Sequence, residues 1–530
     1  MYNKFSTLLV LFTFIISSCS KKSSNDNPIP TDPAPTEPPV LTITNEWKNN
    51  PYKLNVIYFV PNDLDTVKAY RQRLSRVLLD AQKYFADNMA REGFGRKSFG
   101  LDLIDDKTVN IITIKGKLGK TSYPYEGGHN AVIPEITQYY NNNPSLKKHS
   151  EHMLIILPNY NGDDMNPSGG PYYGVGTNCY AMDFKYVDAG YLGTSGRPGE
   201  LATIYIGGLI HELGHGLNAS HNAMRQTLIP QFGTALMGAG NYTYGKSTTS
   251  LTGATAAQFN NSQTFSTVKR TDWYNTATFA LKKLDTKLEN NTIVLSGIFE
   301  TDITVNDVVL WNDPAPFGKG NDDYDAPSWN TKVTSGNNFK FTCDLNDFEK
   351  KTGEYELRLG FLHENGSRSI IRFAYNFENN VPKLDHIQIY ELQSKIGWQV
   401  VEFSTQETVN EDGRALLILD NNINTFWHTP YGSILPNHPH HFVVDFGSSK
   451  TYKGVSFTNR SNLTGAMKDI KIFISDDNTK WTLVKSTQLP KTSRNDINLG
   501  NNITSKYIKI ETVNSWDDAK YTHLAEFGIF

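Results

Sequence analysis

The chain has 530 residues, and at a working domain size of about 150 it is long enough for three or four domains with sizeable cores. Lys+Arg 51 against Asp+Glu 54 gives a formal charge of −3, which leaves no basic excess for nucleic acid. Three cysteines exclude a disulfide framework, and the 12% aromatic share, with abundant Asn, Gly, Thr and Tyr, favours β-rich exported domains.

The chain opens on Lys4, an apolar run over 8–16 and then Ser17, Ser18 and Cys19. That run is too short to span a bilayer permanently and reads as an export leader, 1–18. Small residues directly before a cysteine resemble the lipobox of bacterial lipoproteins, with Ile16 where the motif prefers Leu. The resemblance implies cleavage before Cys19, a lipid on its thiol, and a membrane-anchored protein of the outer membrane or cell surface. Residues 19–43 are rich in Pro and Ser, lack an apolar pattern and read as an extended tether.

A first folded region is expected over 44–277. Residues 54–60 (LNVIYFV) suggest a buried strand, with Asn62 or Asp63 as a following helix cap. Val67, Tyr70, Leu74, Val77, Leu78, Ala81, Phe85 and Met89 then recur at helical spacing, and Gly93 is placed to end the run. Strands are expected at 108–114 and 152–157, a helix near 131–140, an extended segment from Tyr172, and a buried helix over 201–217. Strands alternating with helices indicate an α/β layer. From about 278 to 385 the pattern changes to short alternating strands separated by Asn, Gly and Asp turns, which is β-sandwich patterning, and 387–530 continues in the same texture.

The strongest chemical signal is HELGHGLNASH. His211 and His215 lie one helical turn apart, so both imidazoles leave one face with Glu212 beside them. A catalytic zinc takes three protein ligands and keeps an open position for water. No Glu occurs between Gly216 and Leu288 to supply a third ligand from a second helix, whereas His221 stands six residues beyond His215. The set resembles the metzincin peptidases, whose motif is HExxHxxGxxH followed by a methionine turn, with Met237 in TALMGAG as the methionine. The family glycine is Asn218 here, and Asn is the residue other than Gly that most readily takes the left-handed conformation required there.

The resemblance implies a zinc endopeptidase in which Glu212 is the general base toward water and then carries the proton to the leaving amine. It also implies an edge strand at 174–179 that pairs with extended substrate, and a tyrosine after the methionine turn, Tyr242 or Tyr244, supporting the oxyanion. Cys179 and Cys343 are expected to be core packing.

ALLILDNNINTFWHTPYG, PHHFVVDFG and YIKIETVNSWDDAKYTHLAEFGIF resemble the coagulation factor 5/8 type C, or discoidin, domain, whose bacterial members include the family 32 carbohydrate-binding modules. The resemblance implies a jelly-roll-like β-sandwich, a structural calcium held by Asp420, Asn422, Thr425 and Glu526, and a sugar site formed by His428, Arg460 and Asn462 with the Trp516 ring. Trp427 is expected in the core. The expectation is thus a multidomain chain: a metzincin-like α/β catalytic domain, an Ig-like β-sandwich and a discoidin-like sandwich. Its function would be lipid-anchored cleavage of proteins or glycoproteins guided by glycan binding, and the alternative is a surface glycan-binding or adhesion protein with an inactive peptidase fold. The sequence leaves cleavage preference, sugar identity and oligomeric state open.

Overall fold

The computed structural model describes residues 46–146, 148–314, 323–384, 386–432 and 435–530. The expected leader, Cys19 and the whole tether lie outside the described residues. Among the described residues no helix is long and apolar enough to cross a membrane.

The first strand, Lys53–Val60, is buried on both faces because its side chains alternate between two cores. Val56, Tyr58 and Val60 point to one side, Ile57 and Phe59 to the other. It pairs in parallel with Met153–Pro158 and Ile111–Lys115, and the sheet continues through Asn178–Asp183 to the antiparallel edge Gly174–Val175. Helices α1 (Tyr70–Arg91) and α3 (Arg197–Gly216) cover the first face, and α2 (His129–Asn142) covers the other.

Helix α1 starts later than the capping residues suggest, at Tyr70 after a left-handed Ala69. Asp63 instead accepts the Lys120 N–H at 2.7 Å, and Asn62 N–H bonds Leu118 O, so both serve a neighbouring loop. Arg73 of α1 makes a buried two-pronged ion pair with Asp183 at 2.9 and 3.0 Å, and Tyr58 donates to the same carboxylate. This network ties the end of the Asn178–Asp183 strand to α1, close to where the chain turns toward α3.

The middle region is two facing antiparallel sheets. One contains Phe279–Glu289, Thr292–Thr301 and Asn338–Asp344; the other contains Ser328–Lys332, Val305–Asp313, Gly353–His363, Arg368–Glu378 and Val381–Lys383. Along Val305–Asp313, Val308 and Leu310 face the sandwich core while Val309 and Trp311 join the core of the first region. One strand therefore serves two cores, and the outer face of its sheet is an internal wall of the molecule.

The C-terminal strands build a separate core around Trp398, Trp427, Phe442 and Phe457, with Trp427 fully buried and its indole N–H donating to Thr405 O at 2.8 Å. Contact with the middle sandwich includes hydrogen bonds: Ser493 exchanges bonds with the Arg372 backbone, and Arg494 donates to Leu281 O.

Candidate metal centre and active site

Helix α3 delivers His211, Glu212 and His215 from its last turns and then stops sharply. Asn218 N–H bonds His215 O at 2.9 Å and Ala219 N–H bonds Gly214 O at 2.9 Å, the paired closure of a Schellman motif with Asn218 in the left-handed position at φ 75°. The Asn218 amide donates to Tyr274 Oη at 3.2 Å, and the turn brings His221 back over the helix end.

The three imidazoles converge, with ligand nitrogens all within 4.8 Å of one another. His211 Nδ1 donates to Leu236 O at 2.7 Å and His215 Nδ1 to Ala219 O at 2.9 Å. Those bonds fix the tautomers, leaving both Nε2 lone pairs facing His221 Nε2 at 3.3 and 2.8 Å. Burial pulls His211 down to about 4 and His215 to about 3, which holds these two imidazoles neutral. Three imidazole nitrogens turned toward one point fit a zinc-type cation.

Met237 is buried beneath the site, so close that a Cβ on Gly214 would lie 2.4 Å from its sulfur. Its carbonyl accepts the Asn222 N–H at 3.2 Å, which links the turn to the segment carrying His221. Burial raises Glu212 to about 8, and a backbone hydrogen bond from Gly174 opposes the shift. The edge strand touches the metal helix here, since a Cβ on Gly174 would meet His215 Cβ at 2.2 Å. Cys179 is buried in the same packing, its sulfur 2.7 Å from the place of a Cβ on Gly216, and forms no disulfide.

A cleft of about 450 Å³ opens over Glu212, His215 and His221 and is rimmed by Tyr125, Tyr172, Tyr173 and Tyr324. Tyr242 is not part of it: the ring is 61% exposed in a short turn away from the cleft. Tyr244 is also elsewhere, packed edge-on against Tyr84 at 5.2 Å. The tyrosine at the third histidine is Tyr324, stacked on the His221 ring at 3.8 Å. It belongs to the middle sandwich, and its loop is pinned by Ala223 N–H to Ala326 O at 2.7 Å and by Arg358 on Asp323. No motif spacing announces Tyr324, because a second domain supplies it.

In the C-terminal module, His428, Arg460 and Asn462 meet in one pocket of about 250 Å³. Trp516 is not among its lining residues; its N–H donates to Leu489 O and Lys468 covers its ring. The aromatic surfaces come from Tyr431 and Tyr521, whose rings lie 4.8 and 5.2 Å from that of His428. Asp420, Asn422, Thr425 and Glu526 also converge: Asp420 accepts from Asn422 N–H and Thr425 Oγ1, and Glu526 accepts from Asn422 N–H. The Lys395 ammonium pairs with Glu526 and donates to Ile418 O at 3.4 Å. With the Glu526 carboxylate already neutralised by a buried cation, these donors do not fit a calcium ion as they stand.

The chain thus joins a three-histidine cleft, shared between an α/β region and a β-sandwich, to a C-terminal module whose residues 401–527 match the family described as F5/8 type C domain. Among solved structures it is similar to OgpA from Akkermansia muciniphila: 34% identity, 66% of this chain and 100% of that chain covered, TM-score 0.62. A catalytically inactive OgpA in complex with an O-glycopeptide (glycodrosocin) substrate is similar at 33% identity, covering 66% of this chain and 99% of that one, with a TM-score of 0.62. Similarity at that level over the whole of OgpA places the chain in the same family as OgpA.

Among curated proteins, the sialidase of Micromonospora viridifaciens is 34% identical over 84 residues, covering 16% of this chain and 13% of the sialidase. A galactose oxidase of Gibberella zeae is 28% identical over 141 residues, covering 26% of this chain and 20% of the oxidase. The chain therefore spans only a small part of these two relatives.

Proposed function

We propose that the protein is an exported, lipid-anchored zinc endopeptidase that cleaves O-glycosylated polypeptides and is guided to them by its C-terminal glycan-binding module. The observation that carries the reading is the convergence of His211, His215 and His221 beside Glu212 in a tyrosine-rimmed cleft. Membership of the OgpA family supports an O-glycopeptide as substrate, because an OgpA complex holds one.

His211, His215 and His221 would hold the metal, which when bound supplies a Lewis acid for the scissile carbonyl and makes a water molecule more acidic. Glu212 takes a proton from the attacking water on its carboxylate and returns it to the leaving amine. Its burial suits both halves of that transfer. The unpaired side of Gly174–Val175 receives the substrate backbone by strand addition, aligning it along the cleft. Tyr324 stacks on the His221 ring and helps to hold it in place. Lipid at Cys19 would hold the enzyme at a membrane, and the pocket around His428, Arg460 and Asn462 would raise the local concentration of glycan-bearing substrate.

The test is elemental analysis of protein purified without its leader, paired with cleavage of a heavily O-glycosylated protein before and after chelation. One zinc per chain and chelator-sensitive cleavage are expected. Glu212→Gln should keep the metal and abolish cleavage; cleavage that survives in this variant overturns the assignment.

A further inference from the structure

Next to the metal cleft lies a second cavity, of about 540 Å³, where all three regions of the chain meet. Ser220, the residue before His221, forms one wall, Asn424 of the C-terminal module another, and Arg358, Arg368 and Arg372 of the middle sandwich a third. Arg368 also lines the metal cleft, so the two spaces share a boundary residue.

The arginine wall follows from strand register. Arg358 and Arg372 are direct cross-strand partners, and Arg368, Ile370 and Arg372 alternate onto the outer face of the same sheet. Like charges placed opposite one another are unfavourable in a sheet unless something offsets them. Two carboxylates do so in part: Glu356 lies 3.3 Å from Arg358 and 3.2 Å from Arg372, and Asp323 takes Arg358 in a two-pronged bond at 2.9 and 2.6 Å. Burial and the neighbouring Asp323 push the Asp313 carboxyl up, so it stays largely protonated near neutrality and adds little charge.

Among the described residues, Glu356 and Asp323 are the carboxylates in salt bridges with this wall, and neither lines the cavity. Arg368 is bound differently. Its bonds go to neutral acceptors, Asn218 O at 3.1 Å, Ser220 Oγ at 3.4 Å and Gln258 Oε1 at 3.1 Å, and among the described residues no carboxylate pairs with it. Trp311 in the same wall has a buried indole N–H without a protein partner. The remaining lining is rich in hydroxyl and amide groups, among them Thr276 and Asn424, and the space is larger than an Asp or Glu side chain fills.

We propose that this cavity is a subsite for an anionic sugar, carboxylate- or sulfate-bearing, on the glycan of the substrate, with Arg368 and Arg372 holding the anion. The assignment rests on the glycopeptide reading above. Guanidinium forks bind carboxylate and sulfate by paired, charge-assisted hydrogen bonds, while the hydroxyl-rich remainder suits a sugar ring.

The test uses full-length Glu212→Gln protein, so that ligands stay intact, titrated calorimetrically with O-glycopeptides of one peptide sequence. The glycans are a neutral core disaccharide, its sialylated form and its sulfated form; a fourth peptide carries the neutral glycan with an added Glu. Tighter binding of a sialylated or sulfated form by about tenfold is expected, the scale of one charge-assisted pair, and the two arms tell carboxylate from sulfate. That ratio should fall toward one in Arg372→Gln and in Arg368→Gln, two independent variants in case one disturbs folding. Equal affinity for neutral and acidic glycans overturns the subsite, as does a ratio unchanged in both variants or an equal gain from the added Glu. If the neutral glycopeptide binds without any acidic preference, only the subsite falls; if no glycopeptide binds, the functional reading falls with it.

Discussion

Asn218 is where the sequence departs from the HExxHxxGxxH pattern, and the structure sets the cost of changing it. The residue sits at φ 75°, closes the end of α3 and donates its amide to Tyr274. Asn218→Ala puts a Cβ residue without a local hydrogen bond in the left-handed region, at about 1–2 kcal/mol, and deletes a side-chain bond worth about 1 kcal/mol. Asn218→Gly loses the same bond and gains freedom in the unfolded chain, about 0.5–1 kcal/mol, but removes the backbone strain. Gly should therefore lie within about 1 kcal/mol of the native residue, and Ala about 2 kcal/mol below it. Because 217–221 carries the third histidine into place, the cost should appear in metal affinity as a loss of roughly 30-fold for Ala and a few-fold for Gly. Competition against a chromophoric zinc chelator measures both, with thermal unfolding of the metal-free variants as control. An alanine variant that binds metal as tightly as the glycine variant would refute the conformational argument.

Gly174→Ala places a methyl group 2.2 Å from His215 Cβ, so the edge strand must move off the metal helix; peptidase turnover should fall at least about tenfold while the C-terminal module still binds its glycan. Arg460→Ala should abolish binding of the isolated glycan and slow cleavage of glycoprotein without changing cleavage of a short peptide. It is a cleaner test of targeting than deleting 387–530, because Ser493 and Arg494 bond the module to the middle sandwich; an unchanged glycoprotein rate would reject the targeting role. His152 is buried between Gly216 O and Tyr274 Oη, each at 2.5 Å, and burial lowers its pKa to about 4. Its folded-state pKa lies below the unfolded value of about 6.5, so its contribution is complete above pH 6.5 and is lost as pH falls toward 4, by at most about 3 kcal/mol. Chelated His152→Gln should lose that part of the acid slope relative to chelated native protein, and parallel pH profiles would count against a neutral buried His152.

The parts of the site readable from sequence are those whose geometry is fixed within one or two turns of chain. The spacing of His211 and His215 sets one helix face, and Asn218 predicts a left-handed residue that the Schellman closure then displays at φ 75°. The alternation of 54–60 likewise suggested a buried strand, although not that its two faces feed two cores. Capping residues are less informative: Asp63 has the right chemistry for α1, yet the Lys120 N–H in a loop 57 residues away takes its carboxylate.

Contacts between regions were not legible, and these separate a bare histidine motif from a shaped cleft. Tyr242 follows Met237 closely in sequence, but the hydroxyl-bearing ring at His221 comes from a loop held by Arg358 and Ala223, residues with no local relation to Tyr324. Lys395 is a similar case. In sequence it is one of many surface-type lysines, and only the fold pairs its ammonium with Glu526, a residue of the expected calcium group. The C-terminal pocket shows an intermediate situation: His428, Arg460 and Asn462 line it together, whereas Trp516 lies outside it and Tyr431 and Tyr521 reach His428 from two loops. A periodic pattern constrains which face a residue takes; which loop meets that face depends on how separate sheets stack, and here one sheet wall, carrying Arg358, Arg368 and Arg372, links the catalytic region to the module that follows it.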